Sequence, residues 1–177
     1  MATANPSPAF VLPDALASRR FKLRRETDAD IPFLARLYAT TREAELAQAP
    51  WEPLSKLAFV LNQFDAQRRH YRSYYPDTAF DVIEQDGVPV GRLYLEPRSD
   101  SYHIIDIALM PEMRGQGLGT ELLEALLAHA GALGKGVGIS VETFNPALRL
   151  YRRLGFAHLS DEGIYLTMEW RPESAVS

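Results

Sequence analysis

The chain has 177 residues, of which 46% are hydrophobic, and it carries a formal net charge of -4 at pH 7. These values predict one domain with a substantial core, and the acidic balance with scattered Lys and Arg argues against a nucleic-acid partner. The chain has no cysteine, which excludes disulfides, a thiolate nucleophile and cysteine-ligated metal, and which fits a cytoplasmic location.

Both ends of the chain are expected to lie outside this domain. The first eighteen residues contain three prolines among Ala and Ser and lack the apolar core of a signal peptide. We therefore expect a flexible extension over residues 1–18, a single domain over 19–171 and a frayed tail over 172–177. No apolar run approaches the roughly 20 residues of a membrane span, so we expect no membrane partner.

The first third of the chain predicts one strand and two helices. Residues 21–25 alternate apolar and basic side chains, as in a half-buried strand. Residues 27 and 28, Thr and Asp, can cap a helix whose apolar stripe begins at Ile31. A second helix is expected over residues 54–71.

A hairpin and a partner strand follow in the middle of the chain. Residues 80–83 and 88–95 are rich in β-formers and flank Gln-Asp-Gly at 85–87, which is typical of a tight turn. The run at 102–109, rich in Ile and Leu, is expected to pair with the second of these strands.

The last third predicts a long helix and three further strands. Leucines recur at helical spacing over residues 118–133, and clustered glycines mark the exit of that helix. Strands are expected at 137–141, 156–161 and 164–170. The sheet should therefore be mixed.

A glycine-rich turn precedes the long helix. It reads Arg-Gly-Gln-Gly-Leu-Gly over residues 114–119. The first amides of a helix have no intrahelical partner and meet the positive end of the helix dipole, so this turn is suited to a pyrophosphate. It is not a Walker A loop, because Gly119 is followed by Thr120 and Glu121, and its glycine spacing differs from that of the dinucleotide-binding fingerprint.

Two segments resemble the GCN5-related N-acetyltransferase (GNAT) family. The glycine turn matches the family's acetyl-coenzyme A signature, Arg/Gln-x-x-Gly-x-Gly/Ala. In a second segment, the family has a strand ending at an Asn, a short helix with a Tyr, and a Gly-Phe pair. The matching residues here are Asn145, Tyr151, Gly155 and Phe156.

The resemblance implies a fold and an activity. The fold would be α/β with three layers: a mixed, mostly antiparallel central sheet of six to seven strands, and about four helices packed on both faces. The activity would be transfer of acetyl from acetyl-coenzyme A (acetyl-CoA), without a metal, to a primary amine of a small molecule, peptide or protein. Homodimers are common in the family, and the sequence leaves the oligomeric state open.

The resemblance also implies which residues hold the cofactor. Main-chain groups of residues 107–109 would contact the acetyl and pantetheine portion, amides of 114–120 would hold the pyrophosphate, and Asn145 would orient the arm in a gap between two central strands. The full set is Ile107, Ala108, Leu109, Arg114, Gly115, Gln116, Gly117, Leu118, Gly119, Thr120, Asn145 and Tyr151.

Tyr151 is the expected general acid toward the coenzyme A thiolate. It also lies on an apolar stripe with Ala147, Leu150 and Leu154, so ordinary core packing is the alternative. Asn145 likewise has two interpretations, since an Asn before a proline commonly begins a helix.

The catalytic base has several candidates. Asp106 lies just before the cofactor turn in a run that is similar to diamine and polyamine acetyltransferases. Those enzymes usually have an acidic pair here, and the partner position is Ile105, which weakens the polyamine assignment. His103 and Glu96 are alternative bases. Strand alternation places His103 and Asp106 on opposite faces unless a bulge intervenes.

Two further alternatives stay open from the sequence. Four aromatic residues after the first helix could form a wall for a cationic amine or simply pack the second helix. They are Trp51, Tyr71, Tyr74 and Tyr75. The whole chain could also be a non-catalytic acyl-CoA-binding module of the same fold.

Overall fold

One seven-stranded sheet organises the protein, whose computed structural model describes residues 7–174. The strands are β1 (Phe21–Arg25), β2 (Ala79–Gln85), β3 (Val88–Pro97), β4 (Ser101–Leu109), β5 (Gly136–Glu142), β6 (Ala157–Glu162) and β7 (Tyr165–Trp170). Their order in the sheet is β1-β2-β3-β4-β5-β7-β6, and only β4 and β5 run parallel within the described residues. The predicted mixed, mostly antiparallel sheet is confirmed.

Helices cover both faces of this sheet. They are α1 (Asp14–Ala17), α2 (Ile31–Ala47), α3 (Pro53–Tyr74), α4 (Leu118–Ala132) and α5 (Leu148–Arg153). On one face, Leu34 and Leu37 of α2 and Phe64 of α3 form a core cluster with Val82 of β2. On the other face, α1, α4 and α5 pack against β1–β5 and β7 in a second core cluster, which we call the α4-side core. The predicted three-layer fold is confirmed, with five helices among the described residues in place of about four.

A capping box starts α2 at the predicted point. The Thr27 amide donates to Oδ2 of Asp30 at 2.8 Å, and a short 3₁₀ turn over Asp28–Asp30 leads into the helix. Arg24 donates to both Asp30 oxygens at 2.8 Å, and this contact lowers the pKa of Asp30 to about 2. The cap therefore also ties β1 to α2.

The segment before β1 packs on the core from residue 7 onward. Leu16 of α1 is 1% exposed, and Leu12 is buried beside it. The Tyr102 hydroxyl donates to the Pro8 carbonyl at 2.6 Å, and Ser7 Oγ donates to the Arg98 carbonyl at 2.6 Å. Of the extension expected to be flexible over residues 1–18, residues 7–18 are instead attached to the domain, and 1–6 lie outside the described residues.

The sheet opens between β4 and β5. Four residue pairs join these strands, and the last is Ile104 with Ile139, although both strands continue beyond it. At the same level β4 has a bulge, because Leu95 of β3 pairs with Ile104 while Tyr94 pairs with Asp106. Ile105 is the extra residue, and such a bulge bends its strand. The gap expected between two central strands is therefore present.

None of the helices in residues 7–174 combines the length and the apolar character needed to cross a bilayer.

Candidate active site

Two adjoining cavities occupy the opening between β4 and β5. The larger, which we call the groove, has a volume of about 830 Å³ and runs along the glycine turn and the start of α4. The smaller, which we call the pocket, has a volume of about 260 Å³ and lies between the sheet, α2 and α3. Seven residues line both cavities: Thr41, Arg42, Ile107, Ala108, Glu142, Asn145 and Tyr151.

The glycine turn presents free amides to the groove. Within residues 7–174, the amides of residues 115–120 donate to no carbonyl or side chain, whereas the Glu121 amide donates to the Gly117 carbonyl at 2.9 Å. Gly115 and Gly117 have φ of +73° and +82°, a region that favours glycine. A Cβ at either position would meet no atom of residues 7–174 within 4 Å. Free amides at a helix N-terminus form an anion site.

Eleven of the twelve residues expected to hold the cofactor line the groove. The exception is Gln116, whose Nε2 donates to the Glu112 carbonyl at 2.7 Å. Arg114 is held by its donation to the Leu109 carbonyl at 3.0 Å and to Thr40 Oγ1 at 3.2 Å. Gln116 thus braces the turn from outside while its neighbours face the open space.

Tyr151 lies where the two cavities meet. It is 4% exposed, and its ring packs edge-to-face on Phe156 with centroids 5.7 Å apart. Its hydroxyl makes no hydrogen bond within residues 7–174, and burial together with the negative charge of Asp106 raises the pKa of Tyr151 to about 12. The hydroxyl is therefore protonated at neutral pH and can donate a proton.

Asn145 acts as a local cap and also borders both cavities. Its Oδ1 accepts a hydrogen bond from the Ala147 amide at 2.8 Å, and its carbonyl accepts one from the Leu148 amide at 3.1 Å. These bonds start α5 and thereby fix the helix that carries Tyr151. The capping interpretation of Asn145 accounts for its oxygen and leaves the amide nitrogen for a ligand.

Asp106 lies in the pocket because of the bulge at Ile105. The side chains of Ile104 and Ile107 pack in the α4-side core, so His103 and Asp106 share the opposite face. Oδ2 of Asp106 accepts hydrogen bonds from Arg92 at 2.6 Å and from the Tyr71 hydroxyl at 3.2 Å.

Arg92 is the buried counter-ion of Asp106. It is 2% exposed and also donates to Gln67 Oε1 at 2.9 Å. Two of its nitrogens, Nε and Nη1, are buried without a partner among residues 7–174. Burial and the charge of Asp106 raise the pKa of Tyr71 well above its ordinary value. The floor of the pocket is thus a charged, hydrogen-bonded network held by α3, β3 and β4.

The other two candidate bases lie outside both cavities. Glu96 accepts a hydrogen bond from Arg98 at 2.7 Å, and His103 pairs opposite it across β3 and β4. Burial and the positive charge of Arg98 lower the pKa of His103 to about 4, so its ring is neutral at pH 7. The structure brings Tyr151 and Asp106 to the cavities and leaves His103 and Glu96 away from them.

The aromatic residues after α2 are divided in the same way. Tyr71 lines the pocket, together with Tyr38 of α2 and Tyr165 of β7. Trp51 packs edge-to-face on Phe59 with centroids 5.2 Å apart, outside both cavities. Tyr74 and Tyr75 also lie outside, so one of the four residues considered for an aromatic wall faces the pocket.

Sequence reasoning did not identify Arg42 and Glu142, which line both cavities from opposite sides. The sequence pattern could have identified Glu142. Side chains alternate along β5, so Glu142 must lie on the face opposite to the buried Ile139 and Val141, away from the α4-side core. No such pattern identifies Arg42, because its place beside β5 depends on how α2 crosses the sheet.

One family model and several known proteins match this chain. The model described as "Acetyltransferase (GNAT) family" matches residues 38–156. A mycothiol acetyltransferase of Thermobispora bispora is 28% identical over 169 residues, 90% of this chain and 52% of that protein. An N-alpha-acetyltransferase of Sulfurisphaera tokodaii is 32% identical over 104 residues, 49% of this chain and 60% of that protein. The chain thus spans between half and two thirds of the length of these relatives.

Solved structures share the fold at low identity. PaiA N-acetyltransferase from Thermoplasma acidophilum, in complex with coenzyme A, has a TM-score of 0.61 and 17% identity, with 85% of this chain and 98% of that chain covered. The ribosomal-protein-S18-alanine N-acetyltransferase from Escherichia coli has a TM-score of 0.55 and 20% identity, with 88% and 96% covered. From the family model, which spans more than half of its residues, this chain belongs to the GNAT acetyltransferase family.

Proposed function

We propose that this protein is an acetyl-CoA-dependent N-acetyltransferase whose acceptor is a primary amine of a small molecule, a peptide or a protein. The observation that carries the proposal is the row of free amides in the turn at residues 115–120, which borders a groove that meets a polar pocket at Tyr151. The two relatives differ in what their names give, mycothiol in one and an N-alpha position in the other, so we define the acceptor only as an amine.

The groove suits the co-substrate in shape and charge. Free amides and the positive end of the α4 dipole would bind the pyrophosphate without a lysine. Main-chain groups of residues 107–109, beyond the last β4–β5 pair, would contact the pantetheine arm and direct the thioester to the junction with the pocket. Asn145 borders that junction and would orient the arm.

Tyr151 would serve as the general acid. A thioester is already activated, so the protein has to hold it, present a neutral amine and return a proton to the thiolate that leaves. With a pKa raised to about 12, the Tyr151 hydroxyl stays protonated across the physiological range. Its ring packs on Phe156, which fixes the direction of that hydroxyl.

The test replaces Tyr151 by Phe, which keeps the ring and removes the acid. We expect kcat to fall by about 10²-fold or more, the usual size of a general-acid contribution, while the Kd for acetyl-CoA stays near the wild-type value. Thiol release with a panel of amines gives kcat, and calorimetry gives Kd. Tyr74→Phe is the matched control, because Tyr74 is 71% exposed and lies outside both cavities.

Three outcomes separate the proposal from its rival. A wild-type kcat in the Tyr151→Phe variant would show that Tyr151 serves core packing and is not the general acid. Wild-type protein that binds acetyl-CoA but releases no thiol with any amine would be a non-catalytic acyl-CoA-binding module. Wild-type protein that does not bind acetyl-CoA would contradict both functions.

A further inference from the structure

Resting on the proposed function, we propose that the Glu142 carboxylate receives the proton of the acceptor amine, and that Asp106 is a fixed wall of the pocket. Glu142 is the acidic residue that lines both cavities at the point where they meet Tyr151 and Asn145. An amine that attacks the thioester carbonyl has to reach this junction, because the co-substrate enters by the groove and the acceptor by the pocket.

The position of Glu142 follows from the end of β5. Ile139 and Val141 point into the α4-side core, so Ser140 and Glu142 point to the other face and line the pocket. The ladder to β4 ends at Ile139, so Glu142 lies in the part of β5 that borders the opening between the two strands. Its side chain is 22% exposed, which keeps it in contact with solvent.

Asp106 is less suited to accept a proton. It lines the pocket only, and its Oδ2 already accepts hydrogen bonds from Arg92 at 2.6 Å and from Tyr71 at 3.2 Å. Protonation of Asp106 would leave the Arg92 guanidinium, 2% exposed, buried without a counter-charge. Asp106 is thus needed as a carboxylate to hold the floor of the pocket.

Glu142 is held more loosely by its own counter-ion. Arg42 Nη1 lies 3.8 Å from Oε1 of Glu142 and 3.4 Å from Oε2 of Glu45, and Arg42 Nε lies 3.3 Å from the Tyr38 hydroxyl. The other charged or titratable groups around the pocket are Tyr71 of α3, Arg92 of β3, Asp106 of β4, Tyr151 of α5 and Tyr165 of β7, which pairs with Glu142. Arg42 therefore has a second carboxylate partner, Glu45, besides Glu142.

The protons balance as follows. The acceptor ammonium gives one proton to Glu142, and the neutral amine forms the C–N bond at the thioester carbonyl carbon. The C–S bond breaks, and the thiolate leaves with the electron pair and takes the proton of Tyr151. The nitrogen loses its second proton, which restores the Tyr151 hydroxyl, and Glu142 releases its own proton to solvent. The sum is one amide, one thiol and one proton.

The experiment is Glu142→Gln, measured as a pH–rate profile with the amine that gives wild-type protein the highest rate in a panel of amino acids, diamines and short peptides. We expect kcat at pH 7 to fall by about 10²-fold, the usual size of a general-base contribution. The fall of kcat at low pH should begin at a higher pH than in the wild-type protein, closer to the pKa of the amine itself. The reason is that the amine then has to lose its proton to water. Acetyl-CoA binding, measured by thermal shift, should be unchanged.

Glu169→Gln is the matched control, since Glu169 has a similar exposure of 23%, pairs with Arg171 at 2.6 Å and lies outside both cavities. Asp106→Asn should lower the melting temperature, but its kcat should fall at low pH over the same range as in the wild-type protein. Two outcomes would overturn the role of Glu142 and leave the proposed function intact. In the first, the kcat of Glu142→Gln falls at low pH as in the wild-type protein. In the second, this variant no longer binds acetyl-CoA. If wild-type protein acetylates no amine, the proposed function fails and the role fails with it.

Discussion

The position of Tyr151 suits both packing and the general-acid role that we propose for it. Its ring belongs to the α4-side core with Phe156, while the residue also borders both cavities. The helical spacing of Tyr151 alone would indicate a residue buried for packing. The same burial is also the main cause of the raised pKa of Tyr151. The packing and general-acid interpretations of this tyrosine are therefore compatible.

Gly117 gives a prediction at the same scale. Replacing Gly117 by Val should weaken coenzyme A binding by about tenfold or more, because a β-branched residue at φ of +82° is strained and its side chain would project into the groove. Calorimetric titration with coenzyme A measures the effect. Gly163→Val is the matched control: Gly163 lies in the turn between β6 and β7 with φ of +64°, and a Cβ there would meet no atom of the described part of the chain within 4 Å. Equal affinities in the two variants would contradict the contact.

The sequence predicts single residues where a local rule decides them. The glycine turn and the cap at Asn145 are local, since spacing and helix-end chemistry specify them, and both are present. The ion pair of Asp106 with Arg92 joins two strands, and that of Glu142 with Arg42 joins a strand to a helix. Such pairs depend on packing across the sheet, which no local pattern contains.

At the scale of elements, α1 is the part that the sequence did not predict. It has four residues, Asp14–Ala17, and follows three prolines, so no helical periodicity is available to indicate it. Its reason to form is tertiary, because Leu12 and Leu16 fill the α4-side core beside Phe21 of β1. The longer elements, in contrast, lie close to their predicted ranges since each carries a full apolar stripe or alternation.

The attachment of α1 can be tested by stability. Leu16→Ala should lower the free energy of unfolding by about 2 to 5 kcal/mol, as for other fully buried leucines, because it leaves a cavity under β1. Urea denaturation measures this change. Val11→Ala, at a residue 73% exposed in the same segment, should change stability by less than about 0.5 kcal/mol. Similar small effects for both variants would show that the segment is loosely held.

At the scale of the whole molecule, a short parallel ladder joins the two parts of the sheet. Four residue pairs of β4 and β5 connect β1–β4 to β5–β7, and the groove begins where this ladder ends. A ligand in the groove would contact β4 on one side and α5 on the other. It would therefore stabilise the two parts together.

Acetyl-CoA should accordingly raise the melting temperature of the whole protein. At 100 times its Kd, the ligand adds about 2.7 kcal/mol of stability, which corresponds to roughly 5 to 11 °C for a chain of this size. A thermal-shift titration checks this, with the shift growing as the logarithm of ligand concentration. The Gly117→Val variant under the same conditions should shift much less. A wild-type melting temperature that is independent of acetyl-CoA would contradict the groove as its site.

The extra residue at the Ile105 bulge determines which face of the sheet each later side chain of β4 lies on. One supernumerary residue decides that Asp106 and Ala108 face α2 and α3 while Ile107 faces α4. Without it, every side chain from 106 to 109 would exchange faces, so the Asp106 carboxylate would enter an apolar core and Ile107 would face α2 and α3. The usefulness of this strand thus depends on its residue count as much as on its composition.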